Sequence, residues 1–148
     1  MKSAYRILAY LVAAGVVVQA ADIAFAWFTA FSDMDSGTVV DENYRNTGHT
    51  LHGIMGMMVI PVLALVLLVV SFFAKVPDGV KWAASVFGVV VLQVALAFLA
   101  FGVTPALGAL HGLNAMLLLG VSVMAGHRVG RHTVAHTPST ETHAGQTV

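Results

Sequence analysis

Residues 46–74 and 82–127 contain no Asp, Glu, Lys or Arg, and residues 7–31 contain a single charged residue, Asp22. This distribution limits the fold more than any other feature. A soluble domain carries about 25% charged residues. Here 9% are charged and 58% hydrophobic, and the mean hydropathy is +0.86. The chain reads as a membrane protein, and a spanning helix needs about 20 apolar residues. The 82–127 stretch is too long for one helix. Gly102-Val103-Thr104-Pro105 divides it, because Thr caps a helix start and Pro is accepted in the first turn. Four spans are predicted, near 6–31, 48–74, 80–101 and 105–127. Together they form an all-α, four-span membrane domain over residues 1–132. Residues 133–148 are polar and Thr-rich without periodicity, and read as a disordered cytoplasmic tail.

The charges between the spans predict an orientation. Lys2 and Arg6 precede the first span, Lys75 and Lys81 flank the second connection, and Arg128 and Arg131 follow the fourth span. The first connection holds Asp33, Asp35, Asp41 and Glu42 against Arg45. Lys and Arg favour the cytoplasmic side. Both termini are therefore expected in the cytoplasm, in a bacterial-type inner or plasma membrane. A competing reading takes Ala24-Phe25-Ala26 as a signal-peptide cleavage site. Against it, the apolar run continues through Trp27-Phe28 to Phe31. No cysteine is present, which removes thiolate chemistry, c-type haem attachment and Cys-ligated metal sites. Zero formal net charge gives no support for a nucleic-acid partner.

The two halves repeat loosely. Val16-Val17-Val18-Gln19 resembles Val90-Val91-Leu92-Gln93, and Leu51-His52-Gly53 resembles Leu110-His111-Gly112. The unit is a span with Gln, a loop, and a span with His. Two such hairpins make a four-helix bundle in which spans two and four run in the same direction and can face each other diagonally. His52 lies five residues after Thr47 and His111 six after Pro105, which puts both roughly 8–9 Å along their helices at the α-helical rise. An intramembrane ionisable residue is a functional candidate by default. A pair at matched depth in a bundle core suits axial ligation of a haem iron, with haem b expected. Gly53, Gly56 and Gly112 flank the pair, where small residues let a flat macrocycle approach. The competing reading has the His hydrogen-bonding across helices and the Gly packing helix on helix.

Other polar residues gather around the pair. His49 shares a helix face with His52 and reads as an outer neighbour, an alternative ligand or a proton-handling group. Gln19, Asp22, Gln93 and Asn114 are candidates to accept the second ring N–H of a ligand His. For the Gln residues, ordinary interhelical hydrogen bonding competes. Met55, Met57, Met58 and Met116 read as lining. Pro61 should kink span two or loosen one of its hydrogen bonds. His127 has no His partner at its end of span two. His132, His136 and His143 are too irregularly spaced to suggest a metal tract.

The run Leu92-Gln93-Val94-Ala95 through Thr104-Pro105 to Leu110-His111-Gly112-Leu113-Asn114-Ala115 resembles one half of heme A synthase. That family has two four-helix halves, each with a His on its second and fourth helices. The resemblance implies a four-helix bundle with His52 and His111 as the haem-ligand pair. The family places a Glu three residues before the span-two His and an Arg just after it, where this chain has His49 and Gly53. The chain is also similar to small bacterial four-span membrane proteins with an Ala-Leu-His-x-x-Asn motif.

Three functions follow as alternatives. A haem filled on both faces by His favours electron transfer, with a redox partner or quinone as the exchange partner. His49, Asp22 and Pro61 leave open a membrane enzyme or assembly factor acting on haem or a quinone. A non-catalytic accessory subunit or small transporter would use the His for packing. A lipid bilayer is the expected surrounding in each case, with a homo-oligomer or larger membrane complex as a further expectation. The orientation is checked by reporter fusions: one after Val148 should read cytoplasmic, and one in the Ser32–Asn46 loop should read external.

Overall fold

The computed structural model describes residues 1–129, so the tail at 133–148, with His132, His136 and His143, lies outside the described residues. Four helices form, each long and apolar enough to cross a membrane: α1 Lys2–Asp35, α2 Thr47–Ala74, α3 Gly79–Gly102 and α4 Ala106–His127. α1 extends its predicted span by four residues at each end, and the other three match theirs to within one residue. At 34 residues, α1 is about 50 Å long. It therefore overshoots a hydrocarbon layer of about 30 Å and carries Asp33 and Asp35 beyond it.

The helices pack as a ring in chain order. α1 meets α2 and α4, and α3 meets α2 and α4. Spans two and four thus lie diagonally, as the repeat predicts. One end of the bundle gathers Lys2, Arg6, Lys75, Lys81 and Arg128; the other gathers Asp33, Asp35, Asp41 and Glu42. Below these are called the basic and acidic ends.

Small residues fill the helix contacts. Ala9, Ala26, Ala30, Ala64, Ala83 and Ala125 are fully buried, whereas Phe28, Phe72, Phe98 and Phe101 face outward. That is the inverse of a soluble bundle. Lipid tails are as apolar as Leu, so close backbone approach and polar contacts hold the helices instead. Two glycines make such approaches. A Cβ on Gly48 would lie 2.6 Å from the Ala26 nitrogen, and one on Gly126 would lie 2.6 Å from the Tyr10 ring. At the basic end the buried Tyr5 hydroxyl donates to the Gly79 carbonyl at 3.0 Å. This ties α1 to the tight 75–78 connection, where Lys75 and Asp78 adopt left-handed backbone (φ 51° and 55°). The Arg128 guanidinium stacks over Trp82, 4.8 Å from the ring centroid.

α2 is not uniform. Thr47–Ile54 is α-helical, Met55–Val59 is a π turn, and Ile60–Ala74 is α-helical again. The Ile60 N–H reaches back five residues to the Met55 carbonyl. Pro61 has no N–H to give and its ring crowds the carbonyl four residues back. Widening the turn relieves that crowding. The disturbance predicted for Pro61 thus takes the form of a π turn on its N-terminal side.

Gly48→Ala should force α1 and α2 apart and lower stability by about 1–3 kcal/mol, as overpacking does. Gly120→Ala, with nothing within 4 Å of its Cβ position, should be neutral or slightly stabilising through helix propensity. Thermal unfolding in detergent distinguishes the two.

Candidate functional site

The two His of the repeat face each other across the bundle diagonal, with ring centroids 6.3 Å apart and ring planes inclined by 58°. Each is anchored in the same way. The Nδ1 of His52 lies 3.1 Å from the Gln19 carbonyl, and the Nδ1 of His111 lies 3.0 Å from the Gln93 carbonyl. A carbonyl oxygen only accepts, so Nδ1 carries the proton in both rings. In the neutral imidazole, Nε2 then keeps its lone pair. The hairpins therefore present two like-tautomer imidazoles at one depth, each oriented by the Gln on its own hairpin partner.

The expected acceptors are corrected in one respect. The main-chain carbonyls of Gln19 and Gln93 receive the His protons, not their side-chain amides. In the second hairpin the Gln93 side chain is already engaged elsewhere, by the His111 carbonyl and Asn114. The Gln93 amide donates to the His111 carbonyl at 3.0 Å. It also accepts from Asn114 Nδ2 at 2.6 Å, while Asn114 reaches the Val89 carbonyl at 3.1 Å. Asn114 is thus a brace for Gln93 and does not touch the His111 ring nitrogens. In the first hairpin the Gln19 Nε2 is buried with no hydrogen-bond partner among the described residues. Met55 occupies the place corresponding to Asn114. Asp22 makes no hydrogen bond among the described residues, but it and His49 lie within Coulombic range of His52.

The flanking glycines divide. Gly53 and Gly112 have nothing within 4 Å of a would-be Cβ, whereas Gly56 lies against the Gln19 amide oxygen at 3.0 Å. The first two are exposed on the bundle surface and do not pack helix on helix, whereas Gly56 packs on a polar side chain. At the acidic end, Thr47–Ile54 packs chiefly on α1, while the Ile60–Ala74 part of α2 packs on both α1 and α3. The end of α2 that carries His52 therefore packs little on the second hairpin. A shallow apolar groove lined by Met57, Pro61, Phe87, Val90, Val91 and Val94 includes none of the polar candidates.

His49 sits in a separate aromatic cluster, edge-on to Trp27 at 5.7 Å and to Tyr44 at 6.2 Å. Its Nδ1 is buried and unpartnered among the described residues. Asn46 organises this corner: its side chain caps α2 by accepting from the His49 N–H at 3.0 Å and donates to the Ala26 carbonyl at 2.8 Å. The Tyr44 hydroxyl donates to Asp33 at 2.6 Å. Trp27, Tyr44 and Asn46 were not anticipated from the sequence. The one available signal was Asn46 just before the second apolar run, a good N-cap.

Two imidazoles bound opposite each other on one metal ion, through bonds of about 2.0–2.1 Å, put their ring centres roughly 6 Å apart. The observed separation is compatible with that. Among the described residues no group of three or more His, Asp or Glu could hold a metal ion. An ion between His52 and His111 would have two protein ligands and need the rest from elsewhere. Comparison with family models, curated proteins and solved structures finds no match to this chain.

The hydrogen bond to Asp33 raises the Tyr44 hydroxyl above its ordinary value of 10.0. A group whose folded-state value is raised stabilises the fold below its unfolded value and loses that effect as pH climbs through the folded one. The Tyr44–Asp33 link should therefore persist to pH 10 and release above it. Tyr44→Phe should remove from the tyrosinate absorbance a component that titrates above the ordinary tyrosine range.

Proposed function

We propose that this protein binds one b-type haem between His52 and His111, near the acidic end, and serves in electron transfer. The observation that carries this reading is the matched pair of anchored imidazoles, 6.3 Å apart between centroids. They share one tautomer, set by the Gln19 and Gln93 carbonyls. Two protein ligands fall short of a zinc site, which takes three or four, but suffice where a macrocycle supplies the other donors. The sparse packing of Thr47–Ile54 on the second hairpin supports a flat group there.

Bound haem would supply one-electron chemistry. His52 and His111 would hold its iron through Nε2. The Gln carbonyls fix the ring tautomers and make each imidazole a stronger donor. Asp22, within range of His52, would stabilise positive charge at the site. His49, Trp27 and Tyr44 stand between His52 and the acidic end and shield that edge from water. Held by both His, the haem would supply electron exchange with a redox partner or a quinone in preference to substrate chemistry at the iron. The Lys and Arg distribution supports placing the basic end in the cytoplasm and the site near the external face.

The reduced-minus-oxidised spectrum of the full-length protein, expressed with ample haem, tests the reading. A low-spin bis-His spectrum is expected, and absence of a Soret band would reject the site in favour of an accessory role with packing His. His52→Ala or His111→Ala should each abolish the low-spin signature. His49→Ala should keep it and shift the midpoint potential. His127→Ala should leave it unchanged: its ring Nδ1 bonds only to the Val123 carbonyl on its own helix.

A further inference from the structure

The two halves of the His pair are built with unequal stiffness. On the His111 side, α3 and α4 are joined by a closed network. The His111 ring bonds to the Gln93 carbonyl, and the Gln93 amide returns to the His111 carbonyl. Asn114, 6% exposed, holds the other end of that amide. On the His52 side a single hydrogen bond holds the ring, from Nδ1 to the Gln19 carbonyl, and the start of the segment is tied to α1 a turn and a half away by Asn46 on the Ala26 carbonyl. The Gln19 Nε2 is buried and donates to nothing described. Met55 stands where Asn114 stands in the other half and offers no comparable donor.

The helix segments differ in the same sense. The Thr47–Ile54 segment carrying His52 packs chiefly on α1 and is separated from the rest of α2 by the π turn at Met55–Val59. A π turn holds one residue more than an α-helical turn and is a common feature of functional sites. It lets the two parts of α2 shift relative to each other with little loss of hydrogen bonding. The segment leans on essentially one neighbouring helix, and local opening is expected where a segment is held from one side only. His111, by contrast, sits in an uninterrupted α-helix braced along α3.

We infer that His52 is the displaceable ligand of the pair and His111 the fixed one, so that a small uncharged π-acceptor ligand can take the His52 position on ferrous haem. The inference rests on the bis-His reading above. In the exchange the iron–His52 bond breaks and an iron–carbon bond forms, with carbon monoxide as the probe. The iron stays ferrous and no proton moves. The site would then sense or bind small gases as well as carry electrons.

The test is rapid mixing of the reduced, haem-loaded full-length protein with carbon monoxide. In the wild type the binding rate should level off as carbon monoxide is raised, because departure of His52 comes first. His52→Ala should retain haem in a high-spin form and bind at a rate proportional to carbon monoxide. His111→Ala should lose most of its haem. Met55→Asn, which gives Gln19 the brace that Gln93 has, should slow the plateau rate about fivefold, the effect of one net hydrogen bond. A low-spin wild type inert to carbon monoxide, or retention of haem by His111→Ala and its loss from His52→Ala, would overturn the inference and leave the bis-His site standing. Absence of haem from the wild type would remove the site and the inference together.

Discussion

An imidazole N–H given to a backbone carbonyl on the neighbouring helix is the contact on which this bundle's polar centre depends. In hydrocarbon an unpaired ring N–H costs several times the net value of the bond that satisfies it, so each His must find an acceptor within its own hairpin. Gln19 and Gln93 provide it from their main chains. That choice has a chemical consequence: it leaves the same nitrogen, Nε2, as the free donor on both rings. Tautomer, ring orientation and depth are thereby set by helix packing within each hairpin, before any group lies between the two.

The same constraint explains why the rest of the molecule is packed with small residues. Apolar contact between helices gains little when lipid offers the same contact. Gly48 against Ala26 and Gly126 against Tyr10 instead bring backbones and rings close enough for dispersion and for bonds such as Tyr5 to Gly79. These close contacts join α1 to both ends of the structure. α1 thus serves as the common wall: α2 and α4 both lean on it, and α3 completes the ring.

Much of this was legible in the chain. Charge-free runs marked the helices, since no charged residue is tolerated in the bilayer without a reason. Thr104-Pro105 marked the break between α3 and α4: the Thr104 hydroxyl accepts from the Ala106 N–H at 3.4 Å. The Gln and His repeat marked the facing pair, because polar residues are scarce enough there for their spacing to carry information. The acceptor was not legible. A carbonyl has no letter of its own, so the sequence pointed to Gln side chains where the main chain acts. Nor was the corner around Asn46, which depends on Gly48 meeting Ala26 across two helices. Small apolar residues are common in every span, and their spacing singles out no contact. Pro61 announced a disturbance; that it would be a π turn at Met55–Val59 depended on how α2 packs against α1 and α3.

The differences between the hairpins are as informative as their likeness. Two symmetric hairpins would have held both His equally and left no direction in the site. Met in place of Asn three residues after the His removes the donor to the Gln amide oxygen, the Gln19 Nε2 makes no counterpart of the bond from Gln93 to the His111 carbonyl, and one bond to the ring stands in place of a network. The π turn then falls at that same residue. A singly held ring and a register-tolerant turn coincide on α2, while the network that reaches a ring of the pair directly lies on α3 and α4. A bundle whose apolar contacts contribute little net energy concentrates its rigidity where its hydrogen bonds are. The stiff half is therefore the one that fixes position, and the compliant half is the one whose His can move.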